Sequence, residues 1–587
     1  MDDMPRLADL VPPSLKPGAD LVAMGRAEAK DWRLGISRFM RESGFASEAA
    51  RKRQASAEGR IMQHAHIGFR NVDRTLWAMR EIHDKCARAG VTVDRFGITL
   101  DWSMGYPERY RKEATRGTGI VLASPEDFSR IMEASPAAAH FGDFMIGLPG
   151  ALENTRAAIA AGATAVGNLG QYFTFRLPHW DDDVATTEAT LQALALIAAQ
   201  DAEILVHSNL DDGFAGLFLD MACSLGMVIV EKHIVEELVG ARLGHCYGHH
   251  FSDPLSRMAF HCALAQITDT PGTMIFGNTV SYQSGAAGNY ASLSNYLLAD
   301  IMAMRRWPTG HAVNPVPVTE NVRIPDVDEI EDAQSFATRL VSHAPHYERM
   351  IDWQAVEAMA ALLVRDGRKF AGNLLAGLAD RGVETTDAAQ MLIAIRRLGP
   401  KRIEQLFGPG RIEGGGERTP VVLAEWAREL DAMAQSWVAR NGAVLAPEAA
   451  RSIRVCLATS DVHEHGKYLV AKALEGIGVE VVDGGVATDP ERLVEKAVES
   501  GANVIAVSTY NGVALRYCRE VRRLIEAKGL TLPLLVGGRL NEVPADSNSG
   551  LPVDVTDDLR QLGIHVCENL DRLGPVLSAA SRGSIQN

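Results

Sequence analysis

Short apolar runs alternate with amphipathic stretches between residues 60 and 320. The amphipathic stretches, such as residues 154–162 and 186–200, repeat their apolar positions at helical spacing. The apolar runs are short enough for buried strands and cover residues 60–65, 95–102, 143–150, 163–168, 203–209, 227–233, 273–279 and 300–307. Strands that alternate with helices pair in parallel, and eight such units can close one sheet, so the pattern predicts an α/β fold with a (β/α)8 TIM barrel.

The rest of the chain shows two further patterns. Residues 331–445 have mostly helical spacing, and residues 439–452 have the composition of a linker. From residue 453 apolar runs and helical stretches alternate again, which predicts a doubly wound, Rossmann-like or flavodoxin-like domain of about 130 residues. We therefore expect a barrel with an N-terminal extension (1–330), a helical wrap with linker (331–445) and a C-terminal domain (450–587).

Polar residues stand at the ends of the predicted barrel strands, where the active site of such a barrel lies. Each of them also has a structural alternative, because the same residue types cap helices and satisfy loop backbone. The residues predicted to contact a small-molecule substrate are His66, Asp101, Asn168, His207 and Glu231, and Asn209, His233 and Asn278 hold similar positions.

Composition narrows the classes of partner and compartment. The 587-residue chain has a formal net charge of −15, which argues against a nucleic-acid or anionic-membrane partner because both recruit basic surfaces. Its N-terminus lacks a signal-peptide core, and no apolar stretch reaches the roughly 18 residues of a spanning helix. The seven cysteines form no Cys-x-x-Cys pair. We therefore expect reduced thiols and a cytoplasmic protein.

The stretch "SDVHEHGKYL", residues 460–469, directly follows the first predicted strand of the C-terminal domain. Taken alone, Asp461 could cap the next helix and His463 could be an ordinary loop histidine. Ser508, however, ends the third predicted strand, and Gly537 and Gly538 end the fourth, at the same edge of the sheet. Glycines at that edge allow a large ligand to approach the backbone.

These residues resemble the cobalamin-binding domain of B12 enzymes, which carries Asp-x-His-x-x-Gly, a serine and a Gly-Gly pair in these places. Here the matching residues are Asp461, His463, Gly466, Ser508, Gly537 and Gly538. The resemblance implies that His463 binds cobalt from below, and that the nucleotide tail enters a slot past Ser508 and the glycines. Imidazole suits cobalt, and a carboxylate two residues earlier can orient its far nitrogen. The neighbouring residues expected at the cofactor are Ser460, Val462, Glu464, Thr509, Tyr510 and Arg539.

The predicted barrel resembles the large subunit of glutamate mutase, an adenosylcobalamin-dependent carbon-skeleton mutase. The similar segments are residues 99–110, 167–194, 311–320 and 371–388. The resemblance implies that both subunits of that enzyme are fused in one chain, with adenosylcobalamin as cofactor. It also implies that Gly68 and Pro178 allow the upper face of the corrin to approach the barrel, and it is compatible with a homodimer.

The barrel departs from that family where the family binds its substrate. The family holds a dicarboxylate with three arginines, and their positions fall at His66, near Met104 or Gly105, and at Met145. Arginine suits carboxylates because it binds them in a bidentate manner. The family residue that meets the substrate amine, a glutamate, falls near Asn168. We therefore expect an isomerase acting on a small polar substrate other than glutamate.

Two other functions remain open. Corrinoid methyltransferases carry a similar "DVHxxGK" motif and a helical cap, which residues 331–445 could contain; a non-catalytic B12-binding regulator is the third possibility. The segment "GHCYGHH", residues 244–250, could hold a second metal ion if it were helical. Its two glycines favour a loop instead.

Overall fold

The computed structural model describes residues 4–114, 116–117, 119–249, 251, 253–279, 282, 285–413, 418–442, 445–461, 463–510, 512–542 and 552–584. The chain divides into two compact units, Met1–Glu425 and Trp426–Asn587. The helices that follow the barrel up to residue 407 therefore belong to the first unit, and the boundary falls about 13 residues before the expected linker at 439–452.

The first unit contains a closed barrel of eight parallel strands, as the sequence pattern predicts. Each strand pairs with its neighbour in chain order, and the last pairs with the first. The strands are β1 (Met62–Ile67), β2 (Arg95–Ile98), β3 (Ala138–Phe141), β4 (Ala165–Val166), β5 (Leu205–Asn209), β6 (Arg242–Tyr247), β7 (Met274–Ile275) and β8 (Ala312–Val313).

Helices surround this barrel and fill the rest of the first unit. They are α1 (Leu7–Leu10), α2 (Gly18–Glu28), α3 (Arg38–Ser43), α4 (Glu48–Ala57), α5 (Val72–Arg88), α6 (Glu108–Arg111), α7 (Pro125–Glu133), α8 (Ala151–Ala160), α9 (Gln171–Thr174), α10 (Asp183–Ala198), α11 (Met221–Lys232), α12 (Pro254–Ile267), α13 (Ala286–Arg306), α14 (Val327–Tyr347), α15 (Trp353–Asp380), α16 (Ala388–Leu398) and α17 (Pro400–Phe407). A π-helical segment, His233–Val239, continues α11.

Three of the expected strands are wrong. Residues 143–150 follow β3 instead of forming it, residues 227–233 lie in α11 and its π-helical continuation, and residues 300–307 lie mostly in α13. Helix α11 is buried on nearly all sides because α15 packs along its outer face. A helix buried all round is apolar throughout, so a short piece of it cannot be told from a buried strand by periodicity.

Helix α4 of the N-terminal extension closes the barrel at the start of its strands. Buried Lys52 donates hydrogen bonds from Nζ to the carbonyl oxygens of Thr273 (2.7 Å) and Gly310 (2.9 Å). Buried Glu48 forms an ion pair with Arg95 at 2.7 Å. Two alanines of the helix, Ala49 and Ala55, pack against the first residues of four strands, Ala165, Leu205, Met62 and Ala312. The carboxyl ends of the strands are therefore the accessible end of the interior.

The second unit is a five-stranded parallel sheet with helices on both faces. Its strands are β9 (Arg454–Thr459), β10 (Glu480–Gly485), β11 (Val504–Thr509), β12 (Leu534–Gly538) and β15 (His565–Cys567), with a short antiparallel pair, β13 (Asn541–Glu542) and β14 (Val553–Asp554). Its helices are α18 (Glu425–Asn441), α19 (Pro447–Ser452), α20 (His465–Gly476), α21 (Pro490–Glu499), α22 (Ala514–Ala527), α23 (Thr556–Gln561) and α24 (Leu573–Ser584). The order β10-β9-β11-β12-β15 is that of a flavodoxin-like fold, which binds ligands where β9 and β11 end.

In the described part of the chain, we find no helix with the length and apolar character that crossing a bilayer requires.

Candidate functional site

Asp461 organises the loop that carries His463 at the end of β9. Its Oδ1 accepts hydrogen bonds from the backbone N–H (3.0 Å) and ring Nδ1 (2.7 Å) of His463, and its Oδ2 accepts one from the N–H of Tyr510 (2.8 Å). Burial opposes ionisation of this carboxyl, but the hydrogen bonds from His463 and Tyr510 prevail and hold its pKa below the ordinary value. The imidazole is thus fixed by a carboxylate at Nδ1, so Nε2 is the atom that a metal would meet.

Aromatic stacking adds a second constraint on the His463 ring. Tyr510, just after β11, stacks with it at a centroid distance of 4.4 Å and an interplanar angle of 34°. The guanidinium of Arg539, just after β12, lies 4.3 Å from the centroid of the Tyr510 ring. The ends of three neighbouring strands therefore supply the histidine, the aromatic ring and the cation.

A cavity of about 220 Å³ opens between the sheet and the helices α20 and α24. Its lining is mainly apolar and includes Gly466, Ser508, Gly537, Gly538 and Cys567. A Cβ atom at position 466 would lie 2.6 Å from Ser508 Oγ, and one at position 538 would lie 2.2 Å from the carbonyl oxygen of Thr509. Gly538 also has a φ of +103°, which L side chains rarely adopt. Glycine at 466 keeps the cavity open beside Ser508.

The remaining predicted cofactor residues lie around this edge of the sheet. The backbone N–H of Ser460 donates to the carbonyl of Ser508 (3.0 Å), and buried Thr509 accepts from the N–H of Arg539 (2.8 Å). Glu464 precedes α20 and forms an ion pair with Lys467 at 3.4 Å. Val462 lies outside the described residues.

Lys467 is a residue of this loop whose contacts the sequence did not predict. Its buried Nζ lies 2.5 Å from Asp483 Oδ1 in β10. The lysine thereby ties the start of α20 to the neighbouring strand, and its place directly after Gly466 in the motif was the available signal. His465 instead stacks with Trp426 at 4.6 Å and faces helix α18.

In the barrel, two of the predicted residues line the interior. His66, near the end of β1, hydrogen-bonds through Nε2 to Thr99. The His207 ring in β5 lies 4.4 Å from that of His140 in β3, and its Nδ1 bonds Thr273 Oγ1 (2.8 Å). Burial, followed by the charge of Arg95, lowers the pKa of each of these histidines, to about 4 for His66. They are therefore neutral imidazoles.

Asp101 and Asn168 make local structural contacts at the strand ends. Asp101 Oδ1 accepts from the N–H of Ser103 (2.9 Å) and caps a 3₁₀ turn. Asn168 Oδ1 accepts from the N–H groups of Gly170 (3.0 Å) and Asn209 (2.9 Å), which ties the ends of β4 and β5 together. Gly68 directly follows β1. Pro178 lies in the loop before α10, and its carbonyl oxygen accepts a hydrogen bond from the hydroxyl of Tyr106 (2.5 Å).

Glu231 does not stand at a strand end, because its segment is helical. It lies on α11 outside the barrel and accepts a hydrogen bond at Oε1 from Ser208 Oγ (2.6 Å). Since side chains alternate along a strand, Ser208 points outward where His207 points inward. His233 is likewise outside, in the π-helical segment, where it bonds Glu237.

The structure also places polar residues in the barrel that the sequence reasoning missed. His64 in β1 and His140 in β3 are buried interior residues, and Asn314 follows β8. Two-residue spacing of histidines in "HAHI" (64–67) was a usable signal for an inward-facing pair. A metal site in residues 244–250 would have required a helix, and the described residues there form none, since His245 lies in β6 and His249 in the following loop; His250 is outside the described residues.

Comparison with known proteins supports the reading of the second unit. A family model described as B12 binding domain matches residues 452–555. The small subunit of 2-hydroxyisobutanoyl-CoA mutase from Aquincola tertiaricarbonis is 32% identical over 88 residues, which cover 15% of this chain and 65% of that protein. Dimethylamine corrinoid protein 2 from Methanosarcina mazei is 39% identical over 80 residues, 13% of this chain and 37% of that protein.

A third relative, ethylmalonyl-CoA mutase from Methylorubrum extorquens, is 34% identical over 79 residues, 13% of this chain and 12% of its own. The chain thus spans less than two thirds of the length of each of these relatives. Together with the sheet order and the Asp461–His463 loop, the comparisons define an α/β protein with a C-terminal B12-binding domain. Its second unit is a B12-binding domain with mutase and corrinoid-protein relatives, and its first is a TIM-like barrel.

The residues present fit cobalamin. The cavity beside Gly466 and Ser508 has the apolar lining that a nucleotide base needs, and the glycines leave it open. The imidazole of His463 is oriented by a carboxylate at Nδ1, an arrangement that suits a cobalt ligand. His463 would therefore hold the metal, and the cavity would hold the tail of the cofactor.

Proposed function

We propose that the protein is an adenosylcobalamin-dependent radical isomerase of the carbon-skeleton mutase type, acting on a small polar substrate that is not glutamate. One observation carries the proposal: a single chain joins a B12-binding domain to a closed barrel with a polar mouth. A carrier or regulator needs only the first of these two units, whereas a mutase also needs a chamber for its substrate.

The chain's own residues would serve binding and protection. Adenosylcobalamin supplies, when bound, the homolysis of a cobalt–carbon bond and thus the radical chemistry. Asp461 holds His463 in one orientation for the metal. The barrel, closed at one end by α4, admits substrate only at the carboxyl ends of its strands and restricts water around reactive species.

The substrate chamber departs from that of a dicarboxylate mutase. In the resemblance to glutamate mutase, the places of its carboxylate-binding arginines fall at His66, near Met104 or Gly105, and at Met145, and neutral imidazoles line the interior. Neutral histidines and amides bind hydroxyl and amine groups by hydrogen bonds. This supports a substrate other than glutamate.

A corrinoid-dependent methyltransferase is the second candidate, and the similarity to a dimethylamine corrinoid protein favours it. In that case the barrel would bind a methyl donor or acceptor. A non-catalytic cobalamin-binding regulator is the third.

The upper ligand of cobalt separates these functions. The protein is purified in the dark, its ultraviolet–visible spectrum is recorded, and the extracted corrinoid is identified by mass. Adenosylcobalamin bound with histidine as lower ligand, together with a cob(II)alamin signal in electron paramagnetic resonance when small polar compounds are added, is the expected result. Preferential binding of methylcobalamin, with loss of its methyl group to an added thiol, would replace the isomerase by a methyltransferase. Absence of any bound corrinoid after reconstitution would refute both.

A further inference from the structure

Three carboxylates stand just after two strands of the barrel, at their carboxyl ends. Asp143 follows β3, and Asp211 and Asp212 follow β5. Burial, followed by the negative charge of Asp212, raises the pKa of Asp143 to about 6. Asp212 is the only charged neighbour that perturbs Asp143 among the described residues. This part of the mouth therefore concentrates negative charge around Asp143 without a compensating lysine or arginine beside it.

Asp211 presents one satisfied and one unsatisfied oxygen. Its Oδ2 accepts hydrogen bonds from the backbone N–H groups of Gly248 and His249, both at 2.8 Å. Its Oδ1 is fully buried and has no hydrogen-bond partner among the described residues. A buried carboxylate oxygen without a donor is energetically unfavourable unless a ligand or water supplies one.

An independent observation comes from Asn209 on the same strand. Asn209 shares the inward face of β5 with His207, is only 3% exposed, and its Oδ1 has no partner within the described residues. The backbone N–H of Asn209 donates to Asn168 Oδ1 at 2.9 Å. Asn168 in turn donates from Nδ2 to Asp143 Oδ1 at 3.4 Å. Asn209 therefore adds an unpartnered acceptor on the inward face of β5, two residues before Asp211.

The missing partners are all donors. Asp211 Oδ1 and Asn209 Oδ1 are acceptors, and the net charge around them is negative. Within the described residues of the first unit, no three acidic, histidine or cysteine ligand atoms come within 4.8 Å of one another, so the cluster does not offer three such ligands to a metal ion. An organic cation with several N–H donors fits both the negative charge and the unpartnered acceptors.

We propose that the substrate carries a protonated amine, held at the barrel mouth by Asp143, Asp211 and the amide oxygen of Asn209. This rests on the proposed function, because it assigns the substrate class of the same chamber. The substrate end that meets this cluster is an ammonium group, and the interior histidines meet uncharged polar groups. Asp212 adds its charge, and the backbone of Gly248 and His249 keeps Asp211 in place.

Binding of small cations to the cobalamin-loaded full-length protein tests the assignment. The cationic probes are 2-aminoethanol, 1,4-diaminobutane and L-ornithine; the matched neutral probes are ethane-1,2-diol and butane-1,4-diol, and the anionic probe is glutarate. Calorimetric titration measures each dissociation constant in the dark. We expect at least one cation to bind, and its diol counterpart and glutarate to bind more weakly.

Variants assign the binding to the carboxylates. Asp143→Asn and Asp211→Asn should each lower the affinity for the cation by about tenfold, which corresponds to the loss of one charge-assisted hydrogen bond. Asp201→Asn, an exposed residue before β5, removes the same charge elsewhere and should change nothing. Circular dichroism and cobalamin affinity, unchanged in all three, show that the fold is intact. If one variant fails to fold, the other decides.

Failure of this inference can be told from failure of the isomerase proposal. Cations that bind through Asp143 and Asp211 without any cob(II)alamin signal would keep the amine site and refute the radical function. Turnover of a neutral or anionic compound with full activity in both variants would keep the isomerase proposal and refute the amine site. Preference for glutarate, equal cation affinity in wild type and variants, or no binding by any cationic probe would overturn the amine assignment.

Discussion

His463 is the residue on which cobalt ligation depends. Its ring is fixed by Asp461 at Nδ1 and stacked against Tyr510, so it is oriented before any metal arrives. We expect His463→Ala to weaken cobalamin binding or to return the bound cofactor to the spectrum of its own base as lower ligand. Titration of cobalamin followed by visible absorption measures both effects.

The matched control is His465→Ala, two residues along the same loop. That side chain stacks with Trp426 and has no place in the cobalamin motif, so its loss should leave the spectrum unchanged. An unaltered affinity together with an unaltered spectrum in His463→Ala would rule out the ligand assignment.

Glu231 is a residue whose importance lies in stability. It is fully buried on α11, where Ser208 Oγ donates to it, and burial raises its pKa to about 8. The folded protein keeps a proton that the unfolded chain releases above the ordinary carboxyl pKa. The free energy of unfolding should therefore fall as pH rises from about 4.5 to about 8, by roughly 1.4 kcal/mol per pH unit from this group.

Glu231→Gln removes this titration, so the variant should gain stability relative to wild type between pH 5 and pH 8. Chemical denaturation of the whole chain at both pH values measures the difference. Glu237→Gln, an exposed position on the following turn, is the control. Parallel pH dependence in wild type and Glu231→Gln would show that Glu231 is ionised in the folded state.

The sequence was sufficient to predict functional residues where those residues lie close together along the chain. Asp461, His463 and Gly466 stand within six positions and serve one loop, so their spacing carries the chemistry. Asp143, Asp211 and Asn209 come from two strands that the barrel alone brings together. Their relation depends on closure of the sheet, which no local pattern encodes.

At the scale of elements, α20 forms one wall of the cofactor cavity. Gly466 lies in its first turn, opposite Ser508 at the end of β11. A side chain at 466 would enter the space between helix and sheet, whereas the helix itself tolerates most residues. Gly466→Val should therefore reduce cobalamin affinity by at least about tenfold, a loss of roughly 1.4 kcal/mol, while the sheet stays folded.

Glu475→Val, at an exposed position in the same helix, is the matched β-branched control. It should bind cobalamin as wild type does, with a similar melting temperature in the absence of cofactor. Equal affinity in Gly466→Val and wild type would mean that the cavity does not receive the cofactor.

Element type was predictable where length separates a helix from a strand and ambiguous for a short apolar run inside a buried helix. Helix α10 and strand β5 have the expected positions because their lengths separate them. Helix α11 was mistaken for a strand because α15 covers its outer face and the barrel covers the inner one. The covering helix lies more than a hundred residues away in the chain, so the sequence around α11 holds no sign of it.

At the scale of the whole molecule, acidic character is both general and local. The chain carries a formal net charge of −15, and Asp143 and Asp211 lie where burial strengthens their interaction with a ligand. Long-range attraction of a cation to an acidic protein and its short-range capture in the barrel then act in the same direction. Screening by salt weakens the first far more than the second.

The raised pKa values of the two buried carboxylates give a pH-dependent prediction for cation binding. Burial is the main reason why the pKa values of Asp143 and Asp211 are each raised to about 6, and the charge of Asp212 also raises both. At Asp143, the hydrogen bond from Asn168 lowers the pKa. At Asp211, the charge of His249 and the backbone N–H of Gly248 lower it. Both carboxylates are ionised above that range and protonated below it. Affinity for 1,4-diaminobutane should be constant from pH 8 to pH 7 and fall by up to about tenfold per unit below pH 6.

The amine keeps its charge throughout this range, so the fall must come from the protein. Calorimetric titration at constant ionic strength measures it. In the Asp143→Asn and Asp211→Asn double variant the remaining weak affinity should no longer depend on pH. A wild-type affinity that stays level from pH 8 to pH 5 would exclude these two carboxylates, because no anionic site with pKa values near 6 can bind a cation equally well at both ends of that range.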